Sequence, residues 1–153
     1  MEKTTFDFGY GPVPAHQHAN GGGWVAETAY VADTAYVGSR AQVYGEAWVS
    51  GEAWVYGNAQ VYGNARVCGN AWVSGEARVT TTPLMISGLE YAVTVCDNQV
   101  QIGCKTVPAA TQLSADLFPD ETCPVLRACA HTLIPLIQGH YARAAQVEVT
   151  ERD

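Results

Sequence analysis

Valine recurs at every sixth position through the first half of the chain. The series comprises Val25, Val31, Val37, Val43, Val49, Val55, Val61, Val67, Val73 and Val79, and an alanine stands two positions before each valine after the first. Because side chains of a strand alternate between its two sides, each alanine shares one side with the following valine. The pattern predicts short strands with valine and alanine inside and the residue between them outside.

A turn follows each of the later strands. From Val43 to Val73, glycine and then glutamate or asparagine stand after each Val-x pair, as in Gly51-Glu52 and Gly57-Asn58. Glycine tolerates backbone angles closed to other residues, and asparagine enters the left-handed region more readily than most. Three bent sides close a coil of about 18 residues, so the repeat predicts a column of roughly three coils.

The outward positions form ladders, because residues one coil apart lie above one another. The ladders are Tyr36, Trp54 and Trp72; Tyr30, Trp48 and Arg66; Gln42, Gln60 and Arg78; and Tyr44 and Tyr62. So many outward aromatic rings are unusual for a solvated surface. One interpretation is a subunit interface formed by Tyr36, Trp54, Trp72, Tyr44 and Tyr62, since Trp, Tyr and Arg are enriched at interfaces. The other is a planar ligand stacked on Tyr30 or Trp48 with Arg66 on its phosphate.

The repeat resembles the hexapeptide-repeat, left-handed β-helix superfamily. The nearest likeness is to bacterial and phage proteins with strings of VYGNAxV, present here in Val55–Ala65. The resemblance implies a left-handed parallel β-helix, and it implies that the chain forms a homotrimer. The left hand comes from the resemblance alone, because right-handed crossovers are the general rule.

The segment before the repeat, residues 1–24, is expected to be a lead-in and N-terminal cap. Gly9, Gly11, Pro12 and Pro14 argue against a long regular element there. Residues 16–24 contain two histidines and three glycines. Either Trp24 covers the open end of the column, or backbone amides of this loop approach a ligand.

The segment after the repeat, residues 81–153, is expected to be a C-terminal cap of strand, hairpin and helix. The expected elements are a strand at Leu84–Leu89, a hairpin of Tyr91–Cys96 and Val100–Val107 turning at Asp97-Asn98, and a helix starting near Thr122. The tail, Val147–Asp153, is expected to be an edge strand or frayed. The helix has an apolar stripe that includes Leu136 and Ile137, a kink at Pro135 and an end or break at Gly139. The predicted fold class is therefore mainly β: a short left-handed parallel β-helix with a small α+β cap.

The composition and the net charge limit the classes of partner that the chain is expected to bind. The chain is 48% hydrophobic and 15% charged, typical of a globular protein, and its net charge is −7. That charge argues against binding nucleic acid or an anionic membrane. Met1–Pro14 has no signal-peptide pattern, and the five cysteines are interpreted as reduced thiols of a protein in the cytoplasm of a bacterial host cell. A zinc site is the alternative for Cys123, Cys129 and His131; no metal or cofactor is expected.

Three functions remain open. The superfamily's commonest activity, acyl transfer, needs a general base, but the four histidines, His16, His18, His131 and His140, all lie outside the repeat. A non-catalytic trimer could instead bind a nucleotide-like ligand at subunit clefts, and the phage likeness suggests a sponge that sequesters a nucleotide immune signal. The predicted ligand-binding residues are His16, His18, Asn20, Gly22, Trp24, Tyr30, Trp48, Arg66 and Arg78. The third function is a structural or protein-interaction module.

Overall fold

The computed structural model describes residues 4–86, 93–102, 105–108 and 134–142. The chain divides into two compact units, Met1–Pro83 and Leu84–Asp153. The strands of the first unit are β1 (Thr5–Asp7), β2 (Pro12–Gln17), β3 (Trp24–Ala26), β4 (Tyr30–Val31), β5 (Tyr36–Val37), β6 (Gln42–Val43), β7 (Trp48–Val49), β8 (Trp54–Val55), β9 (Gln60–Val61), β10 (Arg66–Val67), β11 (Trp72–Val73) and β12 (Arg78–Val79).

The repeat strands form a three-sided column of parallel sheets. Face 1 is β3-β6-β9-β12, face 2 is β4-β7-β10, and face 3 is β5-β8-β11. Each strand pairs with the strand one coil later, so Tyr30 lies beside Trp48 and Trp48 beside Arg66. This register confirms the predicted parallel β-helix of about three coils and its outward ladders. The left hand stays a prediction.

The core of the column consists of valines and alanines. The repeat valines other than Val31 are buried, and so are the alanines from Ala35 to Ala77. The residues between them, such as Trp48 and Arg66, are exposed. The predicted division into inward and outward positions is therefore confirmed, and its cause is the two-residue alternation of a strand.

Glycines of successive coils stack at the turns. Gly51 has a φ of 72°, and a Cβ there would lie 2.8 Å from the carbonyl oxygen of Gly69 in the next coil. Among the described residues, only glycines have positive φ, so the asparagines of the turn pairs do not enter the left-handed region. Glycine is therefore favoured at these turns for two reasons: it adopts the positive φ, and it has no Cβ to clash with the glycine of the next coil.

The lead-in contains a β-hairpin. β1 and β2 pair antiparallel, and β2 pairs antiparallel with β3, which extends face 1 beyond the first coil. Asp7 Oδ1 accepts hydrogen bonds from the amides of Gly9 and Gly11, which lowers the pKa of Asp7 and fixes the turn. The lead-in therefore has no long regular element, as expected, but it does contain two short strands that the sequence did not predict.

The second unit contains β13 (Leu84–Ile86), β14 (Val93–Val95), β15 (Gln99–Ile102), β16 (Lys105–Pro108) and the helix α1, residues 134–142. The four strands form an antiparallel sheet in sequence order. Val93, Val95, Val100 and Ile102 of the sheet pack with Ile137 of α1 in one core. The predicted hairpin at Asp97-Asn98 is confirmed, since Val95 lies opposite Val100.

Three details of the second unit differ from the sequence prediction. Val100–Val107 is not one strand, because the chain turns back and Ile102 pairs with Lys105. Gly139 lies inside α1 and does not end it, and Leu136 is 44% exposed although it was placed in the apolar stripe. The predicted helix start near Thr122 and the strand in Val147–Asp153 lie outside the described residues.

Candidate functional site

Face 2 presents a short aromatic ladder above an arginine. The ring centroids of Tyr30 and Trp48 are 4.1 Å apart, and both residues are 46% exposed. Arg66 stands directly beside Trp48 in the next coil and is exposed. Within the described ranges, Arg66 makes no ion pair. Because Tyr30 and Trp48 cover one face of each other, a planar ligand can stack only on the outer face of either ring.

Face 3 presents a larger aromatic cluster. The rings of Tyr36 and Trp54 stack with centroids 4.8 Å apart, and those of Trp54 and Trp72 stack at 6.0 Å. Tyr56 lies in the following turn and meets both tryptophans edge-on. Trp54 is 44% exposed and Trp72 is 40% exposed. We call these four residues the face 3 cluster.

The fourth ladder, Tyr44 and Tyr62, is partly covered by the protein's own hairpin. The two rings are parallel with centroids 4.8 Å apart, and the ring of Phe8 stacks on Tyr44 at 4.9 Å. Burial, followed by the nearby Tyr62 and Tyr10 hydroxyls, raises the pKa of Tyr44. Tyr44 thus contacts the N-terminal hairpin of its own chain, whereas no described ring of the hairpin stacks on the face 3 cluster.

Trp24 lies on the outer side of face 1. It stands beside Gln42, and its ring stacks on Phe6 of the hairpin at 4.6 Å. The backbone of β2 continues face 1 past β3, so Trp24 does not close the end of the column as one interpretation expected. Arg78 is also on face 1, beside Gln60.

The loop of residues 18–23 crosses the first-coil end of face 3. The amides of Gly22 and Gly23 donate to the carbonyls of His18 and Val37, and the amide of Asn20 donates to His18 Nδ1. The Asn20 side chain donates to the carbonyl of Ala35. These amides therefore satisfy the chain's own acceptors, and they lie beside Tyr36 rather than beside Tyr30. His18 is buried, and its Nε2 has no partner among the described residues.

His16 lies in a separate shallow cavity at the first-coil end of face 1. Its Nδ1 is 3.0 Å from Glu27 Oε1, and both side chains are more than half exposed. Thr4, Pro14 and Ala15 complete the lining of a cavity of about 370 Å³. In the described part of the chain, no group of three His, Cys, Asp or Glu residues is arranged to hold a metal ion.

A single chain therefore distributes the nine predicted ligand-binding residues over three faces. Tyr30, Trp48 and Arg66 come together on face 2. The others lie on face 1, in the His16 cavity or beside face 3: His16, His18, Asn20, Gly22, Trp24 and Arg78. The ligand site stays a prediction, and its residues do not meet within one chain.

Carboxylates flank face 2, and the sequence reasoning missed them. Glu27 and Glu46 stand in the turns before β4 and β7, and Asp33 and Glu52 stand in the turns after them. All four residues are exposed. The sequence contains the pattern that predicts them, because it shows both the repeat period and the acidic residues at the turns. The first two coils of face 2 thus combine aromatic rings with negative charge.

Comparison with known proteins agrees with this architecture. The YdcK beta solenoid repeat matches residues 59–75. No curated protein and no solved structure matches the chain. The match and the column together support a β-helix repeat. Membership of the hexapeptide-repeat superfamily and the VYGNAxV likeness stay predictions. No helix in the described ranges is long and apolar enough to cross a bilayer.

Proposed function

We propose that the protein is a non-catalytic β-helix module that assembles into a homotrimer through the face 3 cluster. The observation that carries this proposal is the exposure of Trp54 and Trp72 in a ring stack with Tyr36. Aromatic rings at this density are typical of the centres of protein interfaces. The valine and alanine core needs none of these rings, which leaves association as their role.

Acyl transfer is not part of this proposal. The repeat segment, residues 25–80, contains no histidine or lysine. A guanidinium group is a poor general base, so the arginines of faces 1 and 2 do not replace the missing histidine. The proposed module acts by presenting surface, in the cytoplasm of a bacterial cell.

Light scattering behind a sizing column tests the assembly. We expect the mass of three chains at micromolar concentration, because burial of the face 3 cluster on three copies removes about six exposed tryptophans from water. The mass should be measured at several protein concentrations, because a trimer in equilibrium with its monomer dissociates on dilution. A monomer across the micromolar range would contradict the proposal.

A nucleotide-like ligand at a subunit cleft is the second candidate function. It is favoured by Arg66, which is exposed, makes no ion pair in the described part of the chain and stands beside Trp48. A base would stack on the ring face of Trp48 that Tyr30 does not cover, with its phosphate on Arg66. A phage-type sponge that sequesters a nucleotide immune signal would use such binding without turnover.

Replacing Arg66 tests this candidate. We expect Arg66→Ala to weaken nucleotide binding by roughly ten- to a hundredfold, the range for a lost charge-assisted hydrogen bond, and to leave the melting temperature near that of the parent. Calorimetry with a panel of mononucleotides and cyclic nucleotides measures it. Arg40→Ala is the control, since Arg40 is exposed in a turn and is not one of the predicted ligand-binding residues. No binding by the parent at millimolar nucleotide, or a chemically altered ligand, would exclude this candidate.

A further inference from the structure

The backbone groups of successive residues point to opposite neighbouring strands. Tyr30 N donates to Ala47 O and Ala32 N to Val49 O in the following coil, both at 2.9 Å, whereas Val37 N donates in the other direction to Asn20 O. The carbonyls of the alternate residues of the first coil, such as Val31 and Val37, therefore point away from the second coil. A β-helix has to satisfy or protect these carbonyls, because they form the open edge of each sheet.

Two of the three faces cover this edge with their own chain. On face 1, β2 pairs with β3. On face 3, Val37 O accepts from Gly23 N at 2.9 Å, and Ala35 O accepts from Asn20 Nδ2 at 3.1 Å. The segment before the repeat thus covers the edges of two of the three sheets.

The edge of face 2 differs from the other two in the hydrogen bonding of its carbonyls. Ala29 O and Val31 O are the equivalents of Ala35 O and Val37 O, and none of the residues described in the structure donates to them. Val31 is half-buried, whereas every other valine of the repeat is buried. β4 is the last strand of its three-stranded sheet. This edge has two carbonyls two residues apart and an apolar side chain beneath them.

We propose that β4 binds an extended, basic peptide segment of another protein, which adds to face 2 as a further strand. Alternate amides of an extended chain match the spacing of Ala29 O and Val31 O, as in other cases of strand addition. The inference goes beyond the proposed trimer, since it uses a different face and a different partner.

The charges near β4 specify the partner's chemistry. Asp33 is exposed and makes no ion pair among the described residues. Glu27 stands on the other side of the strand, with one carboxylate oxygen 3.0 Å from His16 Nδ1. The outer ring face of Tyr30 is free of Trp48, so an arginine or lysine side chain of the added strand can stack on it. A second copy of this edge does not complement it, because it would bring the same carbonyls and the same carboxylates, Glu27 and Asp33, against them. The occupant is therefore a basic segment from a different protein.

Labelled peptides test the strand addition. The probes are an eight-residue peptide of alternating Arg and Thr, the same peptide with Glu for Arg, and the basic peptide with alternate amides methylated. Fluorescence anisotropy with the full chain should show binding of the basic peptide that weakens as salt is raised. The methylated peptide should bind at least about tenfold more weakly, because it cannot donate to the two carbonyls. Equal binding of the methylated or the acidic peptide, or none by the basic peptide at millimolar concentration, would overturn the proposal.

Matched tyrosine variants locate the site. Tyr30→Ala should weaken binding of the basic peptide by roughly three- to thirtyfold, the range for a lost cation–π contact. Tyr36→Ala is the control, because Tyr36 occupies the same strand position in the same coil but lies on face 3, whose edge is covered. Tyr30→Ala should melt near the parent temperature, since its ring lies outside the core. Tyr36→Ala is compared by its peptide affinity alone, because its ring belongs to the proposed trimer contact. Equal peptide affinity of the two variants would show that binding is not on face 2.

Discussion

Ala53→Leu is expected to lower the melting temperature of the protein strongly. Ala53 is 0% exposed and is packed among repeat valines that are equally buried. A leucine there adds three carbons to a core that has no room for them, which costs roughly 1–3 kcal/mol or more. Because the coils contact one another directly above and below, a displaced strand also disturbs the coil on either side. Thermal denaturation followed by circular dichroism measures the effect, and Ala59→Leu should behave in the same way.

Gln60→Leu is the matched control for this experiment. Gln60 follows Ala59 directly, but it lies on the outer side of β9 and is only half-buried. The same new side chain at this position should change the free energy of unfolding by less than about 0.5 kcal/mol, as is usual for surface substitutions. Equal melting temperatures for Ala59→Leu and Gln60→Leu would contradict the division into inward and outward positions.

The column could be predicted from the sequence because its physical cause is local. Alternation within a strand and glycine in the turn repeat at a fixed period, and they determine which residues are inside and which lie one coil apart. Even the contact of Tyr30 with Trp48 follows from the period. No long-range information was needed for this part of the fold.

The N-terminal hairpin could not be predicted in the same way. Pro12 and Pro14 lack amide donors and suggested an irregular lead-in. In the structure Ala15 N donates to Thr4 O, so alternation places the nitrogens of both prolines on the side of β2 away from β1. On the side of β3, the carbonyl of Pro14 accepts from Glu27 N at 3.0 Å, and the regular pairing of β2 with β3 begins at Ala15. A strand tolerates a proline whose nitrogen points away from the neighbouring strand. The direction of that nitrogen is known only once the strand pairing is known.

The candidate site was predicted incompletely for a related reason. The period specifies which residues share a face, and so Trp48 and Arg66 were grouped correctly. It does not specify where a loop outside the repeat folds. Asn20 and Gly23 bind the carbonyls of face 3, which places their loop away from Tyr30. Because this loop lies on face 3, the edge of β4 on face 2 is left open. The sequence alone did not show this open edge.

Trp54→Glu combined with Trp72→Glu is expected to convert the proposed trimer into monomers. The two rings stack on each other in the face 3 cluster and are the most exposed part of it. Truncating a central interface tryptophan typically costs about 2 kcal/mol or more, and threefold symmetry repeats that loss in each of three contacts. The introduced carboxylates would add repulsion between copies that are already acidic. Light scattering would then report the mass of one chain, at an unchanged content of β structure.

Trp48→Glu is the control for this experiment. It distinguishes loss of the face 3 contact from a general effect of replacing an exposed tryptophan. Trp48 has the same strand position and nearly the same exposure, 46% against 44% for Trp54, but it lies on face 2. Its substitution should leave a trimer, because face 2 is not part of the proposed contact. Dissociation by Trp48→Glu with retention of the trimer in the face 3 double variant would place the interface on face 2. That result would also remove face 2 as a surface for any other partner, since the rings of Tyr30 and Trp48 would then be buried between copies.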